Sequence, residues 1–336
     1  MVEKNRIGMK QRINYIDRMK GMAILLVVMG HLYFFSYGQS DSIVFCFISS
    51  FHMPLFMFLS GLVSSPSLSL MCCVKKILRL LLPMLFFGLC FTVSFSQINA
   101  IEELGLLFIS FIQKASKNGY WYLMSLSLFY ISLQFFRLNR CNSIIKDALI
   151  ALVTYLIFFI GWKLTAQVID PLCLLNSTDF YPFFILGYFA SKYNWIEYFN
   201  THNWLFTMAL VGYLIFFDRQ FPIHIVDSIS ERFIVRLCAI IVITMLFAER
   251  EKEDSVVEHA LAYIGRNTLD IYVLHYFFVN SINLVIVDKW LQSTGNTPLS
   301  FVVSLLLAIP ITYVSIGLGY ILHKSKILNK IAYGKF

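Results

Sequence analysis

Charge is what this sequence has least of. Only 14% of its 336 residues are Asp, Glu, Lys or Arg, against about a quarter in ordinary soluble domains. A chain so poor in charge cannot cover a water-facing surface, which excludes a soluble globular protein. Polar sequence is missing too. The longest such stretch, 249–260, is a charged linker too short to fold alone. No fixed-period repeat is present, so repeat architectures are excluded and residues 1–336 are expected to form a single membrane domain. The seven cysteines show no CxxC or metal-ligand spacing. Cys72 and Cys73 are adjacent, too constrained for an ordinary bridge. Most of the others sit in apolar runs, where cysteine behaves as a small hydrophobe. No metal is expected. No small-x-small cleavage site follows the first apolar run, so it is expected to be an uncleaved span rather than a signal peptide.

What is abundant is apolar. Hydrophobic residues make up 58% of the chain, and the mean hydropathy is +0.72. Lipid offers backbone groups no hydrogen-bond partners, so spanning segments must be helices or closed barrels. The runs here are continuous rather than alternating, which selects helices. The expectation is an all-α, polytopic membrane protein of about ten transmembrane helices: 17–37, 42–63, 76–95, 119–137, 144–162, 179–192, 203–219, 232–249, 262–285 and 298–322. The stretch 104–112 is too short to span and is expected to lie at an interface or to re-enter.

Basic residues give an orientation. With the N-terminus in the cytoplasm, twenty of the 27 Lys and Arg fall on the cytoplasmic side. Only Lys114, Lys117, Lys163, Arg219, Arg232, Arg236 and Lys289 fall on the other. This asymmetry is that of positive-inside topology and places both termini in the cytoplasm. The formal net charge of +8 then belongs to loops beside anionic membrane lipid. These basic residues are scattered among loops, so no nucleic-acid partner is expected.

Ionisable side chains inside membrane helices are costly and mark function by default. In the stretch "DRMKGMAILLVVMGHLYFF", His31 stands eleven residues after Lys20. That is close to three helical turns, about 16 Å of rise, so Lys20 and His31 share one face. Asp17, three residues before Lys20, joins the stripe. A lipid-facing helix would not carry it. In "SSFHMPLFMFLSG", His52 lies at a depth similar to His31, and Pro54 is placed to kink the second helix there. In "YIGRNTLDIYVLHYFF", Thr268, Tyr272 and His275 share a face, while Arg266 and Asp270 form an i,i+4 pair. Each histidine has a plainer reading as a hydrogen-bonding tie between helices.

Five stretches occur in order: "DRMKGMAILLVVMGH", "FHMPLFMFLSG", "GYWYLMSLSLFY", "FYPFFILGYFASKY" and "YIGRNTLDIYVLH". Together they resemble the membrane-bound acyltransferase-3 family of bacterial O-acyltransferases, over nearly the whole chain. The resemblance implies about ten helices with both ends cytoplasmic. It also implies transfer of an acyl group, usually acetyl from acetyl-CoA, to a hydroxyl of a cell-surface glycan or its lipid-linked precursor. The family's first helix carries a basic residue, ten residues, then His, which are Lys20 and His31 here. Arg is commoner at the first position, and Lys keeps the charge without the bidentate fork.

On this resemblance His31 is expected to act as base or as acyl carrier, with His52 as a second catalytic candidate. Lys20 would meet the CoA phosphates and Asp17 would orient or neutralise it. Lys75, Lys76 and Arg79 would add to the cationic field, unless they are only the positive-inside signal. Trp121 would stack on sugar, unless it is a belt aromatic, and Tyr272 and His275 would contact substrate. Cytosolic CoA implies the cytoplasmic membrane. The tail "HKSKILNKIAYGKF" resembles no esterase-like domain of the kind some relatives add, so transfer is expected to finish in the membrane domain or with a partner. Two rivals differ in class. A transporter or flippase of a glycan or small anion would not depend on acyl-CoA, and a non-catalytic scaffold would not need charge aligned on one helix face.

Overall fold

A computed structural model gives the architecture and describes residues 14–37, 42–64, 69–95, 105, 109, 111, 119–138, 143–165, 170–217, 229–249 and 255–335. Most of the expected interfacial stretch 104–112, the basic N-terminal arm and residues 250–254 of the charged linker lie outside the described residues. No strand occurs among the described residues. The helices are α1 (Asn14–His31), followed by a π-helical segment Leu32–Tyr37, α2 (Ile43–Ser49), α3 (His52–Leu62), α4 (Leu70–Phe95), α5 (Trp121–Leu138), α6 (Ile144–Thr165) and α7 (Leu174–Lys192). They continue with α8 (Trp195–Thr201), α9 (Trp204–Phe216), α10 (Ile229–Glu249), α11 (Val256–Arg266), α12 (Thr268–Ser281), α13 (Val285–Thr294), α14 (Thr297–Lys324) and α15 (Lys326–Tyr333).

Each of the ten expected segments overlaps a helix. Among the described residues, five helical units are long and apolar enough to cross a membrane: 14–37, 43–62, 70–95, 144–165 and 297–324. A sixth is the pair α12 and α13, bent by 85°. The expected ninth helix, 262–285, is therefore corrected. It divides at Asn267, so α11 lies outside the span, and α12 turns sharply into α13. Ser255 and Glu258 start α11 with a reciprocal capping box, which satisfies two otherwise orphaned amides.

The second span is broken where the sequence suggested. Pro54 has no N–H for the Ser50 carbonyl, and its ring crowds that group. α2 accordingly ends at Ser49 and α3 restarts at His52, through Phe51 at φ −145°, ψ −19°. The break brings His52 to the first turn of a new helix.

α1 is the centre of the bundle. It packs on α3, α10, α11, α12 and α14, and 72% of its spanning window is buried, against 17% for α6. α6 therefore belongs to the rim. Two crossings are set by paired glycines. Gly61 of α3 rests on the Phe184 carbonyl while Gly187 of α7 rests on that of Phe58. Gly21 of α1 and Gly265 of α11 do the same with Leu261 and Asp17. Any side chain there would meet backbone, so these helices approach as closely as small-residue membrane interfaces allow.

Candidate active site

His31 is the last α-helical residue of α1. The π-helical turn after it is wider, with an i→i+5 pattern found often at functional sites. Neighbouring helices hold that turn on three sides. Ser36 Oγ donates to the Val279 carbonyl at 2.8 Å. The Leu284 amide donates to the Ser36 carbonyl at 3.1 Å. Tyr33 and Ser300 share a hydroxyl hydrogen bond of 2.5 Å. The imidazole is thus presented by a braced turn.

Around His31 the structure gathers α12. Its Nε2 lies 3.1 Å from the Tyr276 hydroxyl, and its ring is 5.2 Å from that of His275, edge-on. Phe35, one turn on, stacks at 5.6 Å. His275 is fully buried. Its Nδ1–H donates to the Ile271 carbonyl at 2.8 Å, which fixes the tautomer and leaves the lone pair on Nε2. His275 Nε2 and His31 Nδ1 are buried and have no hydrogen-bond partner among the described residues. His52 is half-buried, with Nδ1–H donating to the Ile48 carbonyl at 2.7 Å. It stands within electrostatic reach of His31. The three histidines named from sequence are therefore brought to one region.

Tyr276 was not legible in the same way, and neither was the loop that holds it. Gly119 has a φ of +83°, and a Cβ on it would coincide with the Tyr276 hydroxyl. Tyr272 Oη donates to the Gly119 carbonyl, and Tyr120 Oη donates to the Val273 carbonyl at 3.1 Å. Three tyrosines thus strap the 119–121 loop across α12. The one sequence signal for Tyr276 is its place beside His275, four residues after Tyr272.

Below this cluster lies a cleft of about 170 Å³. Lys20 and Ile24 of α1, Thr268 and Tyr272 of α12, and Met53, Phe56 and Ser60 of α3 line it. Tyr122 completes the polar part, with its hydroxyl 2.9 Å from Ser60 Oγ. The Tyr272 ring lies 6.2 Å from that of His275. The cleft therefore holds a lysine among mostly apolar walls, and its Tyr272 separates it from the histidine pair.

The remaining predicted residues sit elsewhere. Asp17 is buried and takes the Arg266 Nε–H at 3.4 Å. Next to it, Arg18 pairs with Glu258 at 2.6 Å. The expected Arg266–Asp270 pair gives way to this clasp, because the helix breaks at Asn267. Asp270 instead faces His323 Nε2 at 3.1 Å. Lys75 and Arg79 are exposed on α4, and the Lys76 ammonium lies over the Tyr130 ring at 4.7 Å. None of these three lines the cleft, though Leu80, one turn after Lys76, does. Trp121 is half-buried, with one face stacked on Phe180 at 4.8 Å. Among the described residues no cluster of His, Cys, Asp and Glu could hold a metal ion.

A multi-pass helical bundle thus places a half-buried histidine, paired with a buried tyrosine, near a mostly apolar cleft that holds Lys20. No curated protein and no solved structure matches the chain. Residues 13–317 match the acyltransferase domain that defines the acyltransferase-3 family. The match runs from the start of α1 through most of α14, so the chain belongs to that family of membrane acyltransferases.

Proposed function

We propose that this protein moves an acyl group, acetyl in the first instance, from cytoplasmic acyl-CoA to a hydroxyl of a cell-surface polysaccharide or its lipid-linked precursor. The protein would sit in the cytoplasmic membrane with ten crossings and both termini inside. One observation carries the reading: a cleft lined by Lys20 and by Tyr272, whose ring lies 6.2 Å from that of His275, itself packed on His31 and Tyr276. CoA is a polyanion on a long, thin, mostly neutral arm. Lys20 suits its phosphates and the apolar cleft suits the arm, so the thioester would arrive at the histidines. Lys75, Lys76 and Arg79 would then act at longer range, as a field that draws the anion to the opening.

A hydroxyl is a poor nucleophile until its proton is taken. With Nε2–H given to the Tyr276 oxygen, the lone pair of His31 lies on Nδ1, which has no described partner. That nitrogen takes the proton as the hydroxyl oxygen attacks the thioester carbon. The tetrahedral oxyanion then collapses, the C–S bond breaks, and the proton leaves with the CoA thiol. His31 acting instead as acyl carrier would form an acyl-imidazole at the same nitrogen and release the acyl group to the acceptor in a second step. His52 and His275 border the site in either route, and Asp17 holds Arg266 rather than taking part.

The test uses the full chain and its His31→Ala variant in a strain lacking the protein, matched for membrane level. Acyl ester on surface polysaccharide with wild type and none with the variant is the expected result. Equal ester from both would remove His31 from the chemistry. Purified wild type that neither binds nor consumes labelled acetyl-CoA would overturn the proposal.

A further inference from the structure

The bundle holds a second charged group that the scheme above does not use. Arg236 of α10 is nine-tenths buried, and its Nη1 donates to both carboxylate oxygens of Asp179, each at 2.8 Å. Its guanidinium carbon lies 5.1 Å over the Phe180 ring. Phe180 in turn is stacked on Trp121 at 4.8 Å. Phe180 thus meets both a cation and an indole, next in sequence to Asp179. Trp121 is followed by Tyr122, whose ring lies 5.4 Å from that of Tyr272, and α10, which carries Arg236, packs on α3, which opens with His52, so this group and the histidines belong to one region.

The pair is lopsided. The Arg236 side chain is 11% exposed and that of Asp179 is 41%. Sealing an ion pair away costs desolvation at both partners, so a tie made for packing alone gains little from burial. Here the cation is sealed in and the carboxylate is presented. Each carboxylate oxygen has further lone-pair capacity after accepting from Arg236. An open carboxylate accepts hydroxyl protons and repels phosphate and carboxylate ligands. A half-exposed indole alongside offers a flat apolar surface. Hydroxyl donors on one edge and a C–H face on the other describe a carbohydrate ring.

We propose that Asp179, with Trp121 beside it, is the subsite that grips a neutral carbohydrate acceptor, and that Arg236 is the positioning residue that aims the carboxylate. The subsite rests on the acyl-transfer reading for its role but not for its binding. Occupied, it would hold a sugar hydroxyl on the His52 side of His31.

The experiment titrates purified full-length protein in detergent with a panel of 4-nitrophenyl glycosides, neutral and uronate, by calorimetry. Labelled acetyl-CoA binding is measured on the same samples. Neutral glycosides should bind the wild type. Asp179→Asn should weaken them about ten- to a hundred-fold, the range of one hydrogen bond to a charged group, with acetyl-CoA binding unchanged. Trp121→Phe, which keeps the stack on Phe180, should weaken them less. Arg236→Gln should weaken them and Arg236→Lys should restore part. Unchanged glycoside affinity in Asp179→Asn overturns the proposal. So does equal loss of acetyl-CoA binding, a preference for uronates, or a wild type that binds no glycoside of the panel. Asp179-dependent glycoside binding without ester formation would instead leave the subsite standing and sink the acyl-transfer reading alone.

Discussion

A methyl group on Gly119 would stand where the Tyr276 hydroxyl is, at a φ of +83° that L residues avoid. Gly119→Ala therefore has two costs. One is backbone strain of about 1–2 kcal/mol. The other is displacement of Tyr276 from His31. Tyr276→Phe removes the hydroxyl that both His31 and the new methyl would meet, and should lower the acylation rate about ten-fold or more. The pair makes a double-mutant cycle. In thermal melts the double variant should be less destabilised than the two single losses combined; strict additivity would mean that the clash is absorbed elsewhere. The sequence made half of this visible. Lys20, His31, His52 and His275 stand out because polar groups in apolar runs are expensive. Tyr276 does not, because it is one of 18 tyrosines among 33 phenylalanines, and aromatic residues cost little at any depth. Only the fold decides which of them meets a histidine.

At the scale of helices, α11 is fastened to the start of α1 by a crossed clasp: Asp17 with Arg266, and Arg18 with Glu258. Arg18 is 3% exposed. Removing one partner of a buried pair leaves an uncompensated charge and costs about 3–5 kcal/mol. Glu258→Arg should thus lower the melting temperature sharply. Arg18→Glu combined with it should recover part of the loss, but not all, because Glu258 also closes the capping box on Ser255. Equal melting of wild type and the single variant would show the clasp to be ornamental. Sequence periodicity missed this clasp for a definable reason. The i,i+4 rule holds only inside one helix, and Asn267 ends that helix between Arg266 and Asp270. The break before α3 was visible beforehand, because proline acts on its own backbone and needs no partner.

The whole molecule is ordered by burial rather than by length. α1 is sheathed on all sides, while α6 exposes Ile145, Leu149, Leu152, Ile157 and Leu164. Hydropathy shows that all of these helices are apolar but not which one is central. Polar residues are the better guide: the central helix is the one that carries Lys20 and His31. Ten crossings with both ends inside can be checked by labelling. In a background without the native cysteines, Ser293→Cys should react with an impermeant maleimide in intact cells. Thr201→Cys should react only after permeabilisation. Labelling of both in intact cells would break the proposed topology. Both positions are exposed in the structure.

The π-helical turn after His31 has a further consequence. A π turn is an α-helix that has absorbed one surplus residue without unwinding. Deleting Phe34 would give that residue back and let the segment relax to α geometry. The chain would remain as hydrophobic and as helical as before. Side chains beyond that deletion would keep their angular positions, because the bulge had already absorbed the extra residue, whereas deleting Val27 from the regular part of α1 would swing every later side chain, His31 included, by about 100° around the axis. The second deletion would take Ser36 from its partner on the neighbouring helix, and the imidazole would lose its bracing. Two chains with indistinguishable hydropathy profiles would then differ in whether the histidine faces its site. In this protein the register of a single turn, not its composition, separates an aimed imidazole from a buried one.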